Sequence, residues 1–178
     1  MTKFHLFALI LLLPSSFVKA DEGFYLSGIY SYQDYNLNFT DNKDYSLSLH
    51  AVGTNFGYQF SDFFATEIRF TTGIKGDHLK NSDEIELGNS YGAYLKISYP
   101  ISRIYSLYGL VGIGAGKIII GGNELSTFRG GSLGVGLTMK LNSAISASLE
   151  CLYQDNNSTY DDYEDSLSGI QLGIQYLF

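Results

Sequence analysis

The chain has 178 residues and carries 11 Lys and Arg against 18 Asp and Glu, a net charge of −7. That length suits one domain, and the acidic balance excludes nucleic acid as a partner, because binding to a phosphate backbone rewards clustered Lys and Arg. A single cysteine, Cys151, excludes an internal disulfide framework, and 15 Tyr, 12 Phe and 20 Gly beside only 2 Pro describe a chain of strand formers with closely packed backbone.

The amino-terminal segment has Lys3 and His5 at its start, an apolar run over residues 4–13, Pro14, and then Val18-Lys19-Ala20. A positive start, a short apolar core and small residues before a cut are the parts of a secretory signal peptide. Residues 1–20 are therefore expected to be removed after Ala20, leaving 21–178 as one domain. The apolar run is too short to span about 30 Å of hydrocarbon. Nothing later in the chain has the uninterrupted apolar length of a membrane helix, so a membrane location would require a barrel.

Eight alternating segments follow, joined by long and short connections in turn. The first, residues 23–32, sets Phe24, Leu26, Gly28, Tyr30 and Tyr32 against Tyr25, Ser27, Ile29 and Ser31, the period of two that marks a strand. A polar stretch, 33–44, leads to a second strand, 45–60, in which Leu47, Leu49 and Ala51 share one phase while Phe56, Tyr58 and Phe60 take the other. A bulge is the expected cause of that change. Ser61-Asp62 turns into the third strand, 63–72, with Phe64, Thr66, Ile68 and Phe70 outward and Ala65, Glu67, Arg69 and Thr71 inward. A polar loop, 73–89, precedes the fourth, 90–99, which exposes Tyr91, Ala93, Leu95, Ile97 and Tyr99. After a turn at 100–103, the fifth strand, 104–116, is apolar in both phases and its faces cannot be assigned. A Gly-rich loop, 117–126, leads to the sixth, 127–141, with Leu133, Val135, Leu137, Met139 and Leu141 on one side. A turn at Asn142-Ser143 opens the seventh, 144–153, with Ile145, Ala147, Leu149, Cys151 and Tyr153 outward and Glu150 inward. The last long loop, 154–165, is acidic. The eighth strand, 167–178, alternates Ile170, Leu172, Ile174, Tyr176 and Phe178 with Gln171, Gly173 and Gln175.

Eight such strands make an up-and-down antiparallel barrel, and alternation alone does not say which face is apolar. Three features choose. Short turns at one end and long loops at the other are the asymmetry of outer-membrane barrels. The phase opposite the apolar one carries Glu67, Arg69, Lys96, Lys140 and Glu150, a poor lining for an apolar ligand. Aromatic residues gather at strand ends: Tyr58, Phe60, Phe63, Phe64, Tyr99, Tyr105, Tyr176 and Phe178 near the short turns, and Tyr30, Tyr32, Phe70, Tyr91 and Tyr153 near the loops. These are expected to form two interfacial girdles. The predicted fold is an all-β, eight-stranded antiparallel transmembrane barrel in a bacterial outer membrane, with short periplasmic turns and long extracellular loops.

The run Tyr108-Gly-Leu-Val-Gly-Ile-Gly-Ala-Gly-Lys117, the segment Gly134-Val-Gly-Leu137, the strand Leu149-Glu150-Cys-Leu-Tyr153 and the closing Gly173-Ile-Gln-Tyr-Leu-Phe178 together resemble the Ail/Lom/OmpX group of small outer-membrane barrels, within the OmpA-like β-barrel superfamily. The resemblance spans the mature chain and implies periplasmic termini and insertion guided by the terminal strand, with Ile174, Tyr176 and Phe178 as its signal to the barrel assembly machinery. It implies little about function, because members of the group include adhesins, serum-resistance factors and proteins of no known task.

Five residues on the inward phase, Glu67, Arg69, Lys96, Lys140 and Glu150, must meet in a narrow interior, where unpaired charge is very costly. They are expected to form a structural network; a gated ion path is the functional alternative. His50 and His78 are the histidines beyond the signal, and His78 lies near Asp77, Ser82, Asp83 and Glu84. A hydrolytic arrangement is conceivable there, but no motif of a lipid A-modifying enzyme is present. Asp155, Asp161, Asp162, Glu164 and Asp165 form a candidate interaction loop. They lack the spacing and glycine of a calcium loop and are expected to be solvated, or to meet lipopolysaccharide through divalent ions or a basic partner. No cofactor, metal site or catalytic residue is expected. The reading is a monomeric, non-enzymatic surface protein surrounded by outer-membrane lipid and lipopolysaccharide, its extracellular ligand unnamed, with a lipid A-modifying enzyme or a small pore as rivals.

Overall fold

The computed structural model describes residues 22–39, 43–78, 84–120, 123–158 and 163–178. Eight long strands run through them: β1 (Gly23–Phe39), β2 (Lys43–Gln59), β3 (Phe64–Lys75), β4 (Glu84–Pro100), β5 (Tyr105–Ile120), β6 (Asn123–Lys140), β7 (Ile145–Ser158) and β8 (Tyr163–Leu177). Each pairs antiparallel with its sequence neighbours, and β8 returns to β1 from Tyr25↔Leu177 to Phe39↔Tyr163, so the sheet closes on itself. Closure satisfies backbone groups that hydrocarbon cannot. The seam between β3 and β4 pairs Phe64↔Ile97 through Thr71↔Ser90 and resumes at a two-residue segment, Asp77–His78, opposite Ile85 and Glu84. The described chain contains no helix long and apolar enough to cross a membrane.

The three short turns share one construction. In each, the second residue of a four-residue connection accepts two backbone amides with its side chain. Ser61 Oγ takes the N–H groups of Phe63 and Phe64, Ser102 Oγ those of Ile104 and Tyr105, and Asn142 Oδ1 those of Ala144 and Ile145, the last two at 2.8 Å. Side-chain acceptors of this type favour turns over continued extension. The turn carbonyls then carry the ladder onward: Ser98 N donates to Phe63 O, Lys140 N to Ile104 O and Leu177 N to Ala144 O.

The apolar phase faces lipid. On β8, Ile170, Leu172, Ile174, Tyr176 and Phe178 are all exposed, while Gln171 and Gly173 are buried. From Ile170 to Phe178, at about 3.3 Å per residue and a tilt of about 40°, this stripe covers roughly 20 Å, most of the height of an outer-membrane apolar band of about 25 Å. The same facing holds for β1, β3, β4, β6 and β7 as their alternation predicts. The faces of β5 resolve into Tyr108, Leu110 and Ile118 inward and Leu107, Val111 and Ile113 outward. Aromatic rings mark both edges of the band. Phe24 stacks on Phe56 and meets Tyr58, and Tyr176 meets Phe178, toward the short turns. At the other edge Tyr30 and Tyr32 flank His50, and Tyr30 Oη lies 2.6 Å from His50 Nδ1.

Two expectations need correction. The phase change in β2 is no reversal of its pairing with β1, whose register runs unbroken from Gly23↔Gln59 to Phe39↔Lys43. The register shift near His50 and Ala51 lies between β2 and β3. Leu47, Leu49 and Ala51 point inward like Asn55, and the apolar residues themselves change sides. Tyr35, Leu47, Leu49, Ala51, Ile85, Leu87, Ile118, Phe128 and Leu167 form one buried apolar cluster inside the end of the barrel that bears the long connections. Outside the same level stand Asp34, His50, Lys117, Arg129 and Asp155, half-buried or exposed. Above the lipid the outer solvent is water, so the polarity of the wall reverses while the sheet continues.

The second correction follows from the first. Most residues read as long loops are strand: β1 runs on to Phe39, β3 to Lys75, β5 to Ile120 and β7 to Ser158. Of the acidic loop, Glu164 and Asp165 begin β8, opposite Asn157 and Asn156. Asp161, Asp162 and the signal segment 1–20 lie outside the described residues.

Candidate functional site

The centre of the barrel is built from inward positions of six strands. Arg69 comes from β3, and Glu150 from β7, which stands four strands away in either direction and thus diametrically opposite. Arg69 spans the lumen. Its Nε donates to Glu67 Oε1 at 2.9 Å, Nη1 to Glu150 Oε1 at 2.6 Å and to Gln171 Oε1 at 3.1 Å, and Nη2 to Glu150 Oε2 at 2.9 Å and also to Glu67 Oε1. The carboxylates are completed by two phenols: Tyr25 donates to Glu67 Oε2 at 2.8 Å and Tyr108 to Glu150 Oε2 at 2.9 Å. Arg69, Glu67 and Glu150 are 5%, 4% and 4% exposed, so the pairing takes place out of bulk water. The planar fork of the guanidinium suits this bidentate task. Its face also lies over the Tyr94 ring at 4.6 Å. Lys96 sits over Tyr108 at 4.1 Å and near Tyr25 at 6.0 Å.

Glycine makes room for these rings. Tyr25 pairs across the ladder with Gly57, Tyr94 with Gly112 and Tyr108 with Gly136. A Cβ on Gly57 or Gly136 would collide with Cζ of the facing tyrosine. Each ring therefore lies against a glycine, and those of Tyr25 and Tyr108 send their hydroxyls to Glu67 and Glu150, the same device that covers glycines with aromatic rings in designed sheets.

Four of the five charges expected inside are brought together: Glu67, Arg69, Lys96 and Glu150. The fifth, Lys140, has the inward phase of β6 but lies beside the short turn that follows, exposed at the periplasmic mouth rather than within the network. The tyrosines and Gln171 that complete the network escape sequence reasoning, although the inward phase of Tyr25, Tyr94 and Gln171 is readable in β1, β4 and β8; Tyr108 lies on β5, whose faces are not. Asp155 is exposed on β7. Ile174, Tyr176 and Phe178 face lipid on β8. The catalytic arrangement considered around His78 gains no support: Asp77 Oδ2 accepts the Ser48 amide at 3.2 Å instead, and Ser82 and Asp83 lie outside the described residues. The described residues hold no metal-binding group of His, Cys, Asp and Glu.

Around Arg69 the interior is filled. Cavities of about 30 and 10 Å³ adjoin it, on the sides of Gln154 and Asn55 respectively. Beyond the first lies the apolar cluster; beyond the second a cavity of about 610 Å³ opens between the short turns. An eight-stranded barrel encloses just enough space for its own side chains, and this one uses it for a cross-brace and a dry cap.

A closed barrel of eight strands, apolar toward lipid, charged and satisfied within, is an integral β-barrel of the bacterial outer membrane. The family model of the outer membrane protein beta-barrel domain matches residues 5–178, and the chain belongs to that family. Among solved structures the fold is similar to Neisserial surface protein A (NspA), with a TM-score of 0.66, 14% identity and coverage of 88% of this chain and 97% of that one. It is also similar to OprG of Pseudomonas aeruginosa, with a TM-score of 0.60, 14% identity and coverage of 89% and 97%. Ail of Yersinia pestis follows, with a TM-score of 0.52, 18% identity and coverage of 87% and 99%, in keeping with the resemblance to the Ail/Lom/OmpX group. No curated protein sequence matches.

Proposed function

We propose that this outer-membrane protein is a non-enzymatic surface protein, a barrel whose strands continue above the lipid as a rigid platform and present acidic hairpin ends to a positively charged partner. The observation that supports this reading is the apolar cluster of Tyr35, Leu47, Leu49, Ile85, Leu87, Ile118, Phe128 and Leu167 inside the extracellular part of the wall. A conduit would keep that mouth polar. Burying these side chains, at about 1.5–3 kcal/mol for each large one, stiffens the strands beyond the membrane. Between Gln154 and Asp165 stand Asp155, Asp161, Asp162, Glu164 and Asp165 with no Lys or Arg. Such a surface steers cations and basic proteins toward it and repels polyanions. The protein acts as a monomer in lipid and lipopolysaccharide, inserted by the barrel assembly machinery through Ile174, Tyr176 and Phe178.

The test is neutralisation of Asp161, Asp162, Glu164 and Asp165 to their amides on cells that display the protein. Binding of cells to a polylysine or basic protein surface should fall and lose its salt dependence. Unchanged binding would leave the hairpins without a recognition role. Lipid A from a host expressing the protein should keep its mass, with His78→Ala making no difference.

A further inference from the structure

We infer that the periplasmic mouth of the barrel is a binding site for a small oxyanion, a phosphate or carboxylate group, anchored from its floor by Lys96. The cavity there measures about 610 Å³ and opens between the turns at 60–63 and 101–104. Its walls are inward positions near the short-turn ends of the strands, among them Ser98, Ser106, Thr138 and Ser146.

The ammonium at the floor has no hydrogen-bond acceptor from the protein. A lysine ammonium offers three N–H donors to whatever enters beside it. Among the described residues Lys96 forms no direct hydrogen bond or salt bridge; it lies over the Tyr108 ring at 4.1 Å and near the Tyr25 ring at 6.0 Å, and Glu67 and Glu150 act on its charge only from a distance. Its acidic neighbours are engaged elsewhere. Glu67 receives Arg69 and Tyr25, and Glu150 receives both Arg69 nitrogens and Tyr108. On the wall, Thr138 Oγ1 is a buried polar atom with no partner. Lys96 on β4 and Thr138 on β6 line one cavity from different strands.

Charge points the same way. Lys96, Lys140 and Arg103 line the cavity against one carboxylate, Asp62, in a protein whose overall charge is −7. A cleft of one sign between low-dielectric walls concentrates ions of the other sign. A phosphate or carboxylate oxygen entering from the periplasm meets Lys140 and Arg103 at the rim and Lys96 at the end, with serine and threonine hydroxyls between. This site is independent of the hairpins and faces the opposite compartment.

The folded protein in detergent micelles is titrated separately with inorganic phosphate and with acetate, following backbone amide resonances and binding heat. Saturable shifts at Ser98, Ser106 and Thr138, absent near Tyr35 and Phe128, are expected with at least one of the two, and which one responds names the oxyanion. Lys96→Met should weaken binding about tenfold or more, the loss of a charge-assisted hydrogen bond. Lys117→Met, on the outer wall at the far end, should leave it unchanged. Gel mobility before and after boiling shows whether the Lys96 variant folds; if it does not, Lys140→Met should still weaken binding severalfold. Non-saturable shifts with both ions, or saturable binding unaffected in a folded Lys96→Met or Lys140→Met protein, overturn the inference.

Discussion

Arg69 is the residue on which the interior turns, because it hydrogen-bonds both glutamates across the full width of the barrel. Replacing it by Met would leave two buried carboxylates facing each other without a cation between them. Breaking a buried pair in this way costs about 3–5 kcal/mol, and the urea midpoint for unfolding from lipid vesicles should fall accordingly. Adding Glu67→Gln and Glu150→Gln to Arg69→Met should recover much of the loss, since removing a whole charged set costs far less than orphaning one member. Gly136 is the second sensitive position. A methyl there collides with the Tyr108 ring and would lift its hydroxyl from Glu150. Gly136→Ala should cost about 1–3 kcal/mol by overpacking. In a double-mutant cycle with Tyr108→Ala part of that cost should vanish, because the ring is gone while the Leu149 carbonyl oxygen, 2.8 Å from the added methyl, remains.

At the scale of the strand, polarity is set by the solvent at each height rather than by the strand as a whole. Leu133 and Leu49 are both leucines in regular β-structure, yet one faces acyl chains and the other is 0% exposed inside the barrel. Leu133→Arg places a charge in hydrocarbon and should cost about 2–4 kcal/mol if Leu133 lies near the midplane. Leu49→Ala opens a cavity in a dry cluster and should cost about 2–5 kcal/mol. Both are read from unfolding in vesicles of one lipid. This dependence on height also explains what the sequence made legible. Within the membrane the alternation was unambiguous, so the facing of β1, β3, β4, β6, β7 and β8 and four of the five interior charges could be read from it. Above the membrane the apolar residues cross to the inner phase, and in β2 that crossing looks like a bulge. The outward residues there are polar, so strand passes for loop at Asp34, Lys117 and Asp155. In β5, glycines at 112, 114 and 116 erase the polar phase that would have shown its faces. The tyrosine hydroxyls were hidden for a different reason: alternation reports which way a side chain points, and not which carboxylate across the lumen it will find.

The whole molecule is a tube closed twice and open once. Its periplasmic mouth leads to a cavity of about 610 Å³, which ends at the level of Lys96, Tyr25 and the Arg69 brace. Above the brace the apolar cluster from Tyr35 to Leu167 forms a second barrier. These barriers differ in kind. The brace excludes ions because its hydrogen-bonded side chains fill the lumen; the cluster excludes them because it offers no hydration at all, and an ion stripped of water in apolar surroundings is very costly. Two barriers in series mean that weakening one leaves the other standing. In a planar bilayer the protein should therefore show no discrete conductance steps, and neither Arg69→Met nor Phe128→Ala alone should produce them. Steps in the unmodified protein that Glu67→Ala or Lys96→Ala alters would mean that the brace opens and the apolar cluster with it. The barrel would then be a conduit, and the rigid extension above the membrane would need a different purpose from presenting hairpins.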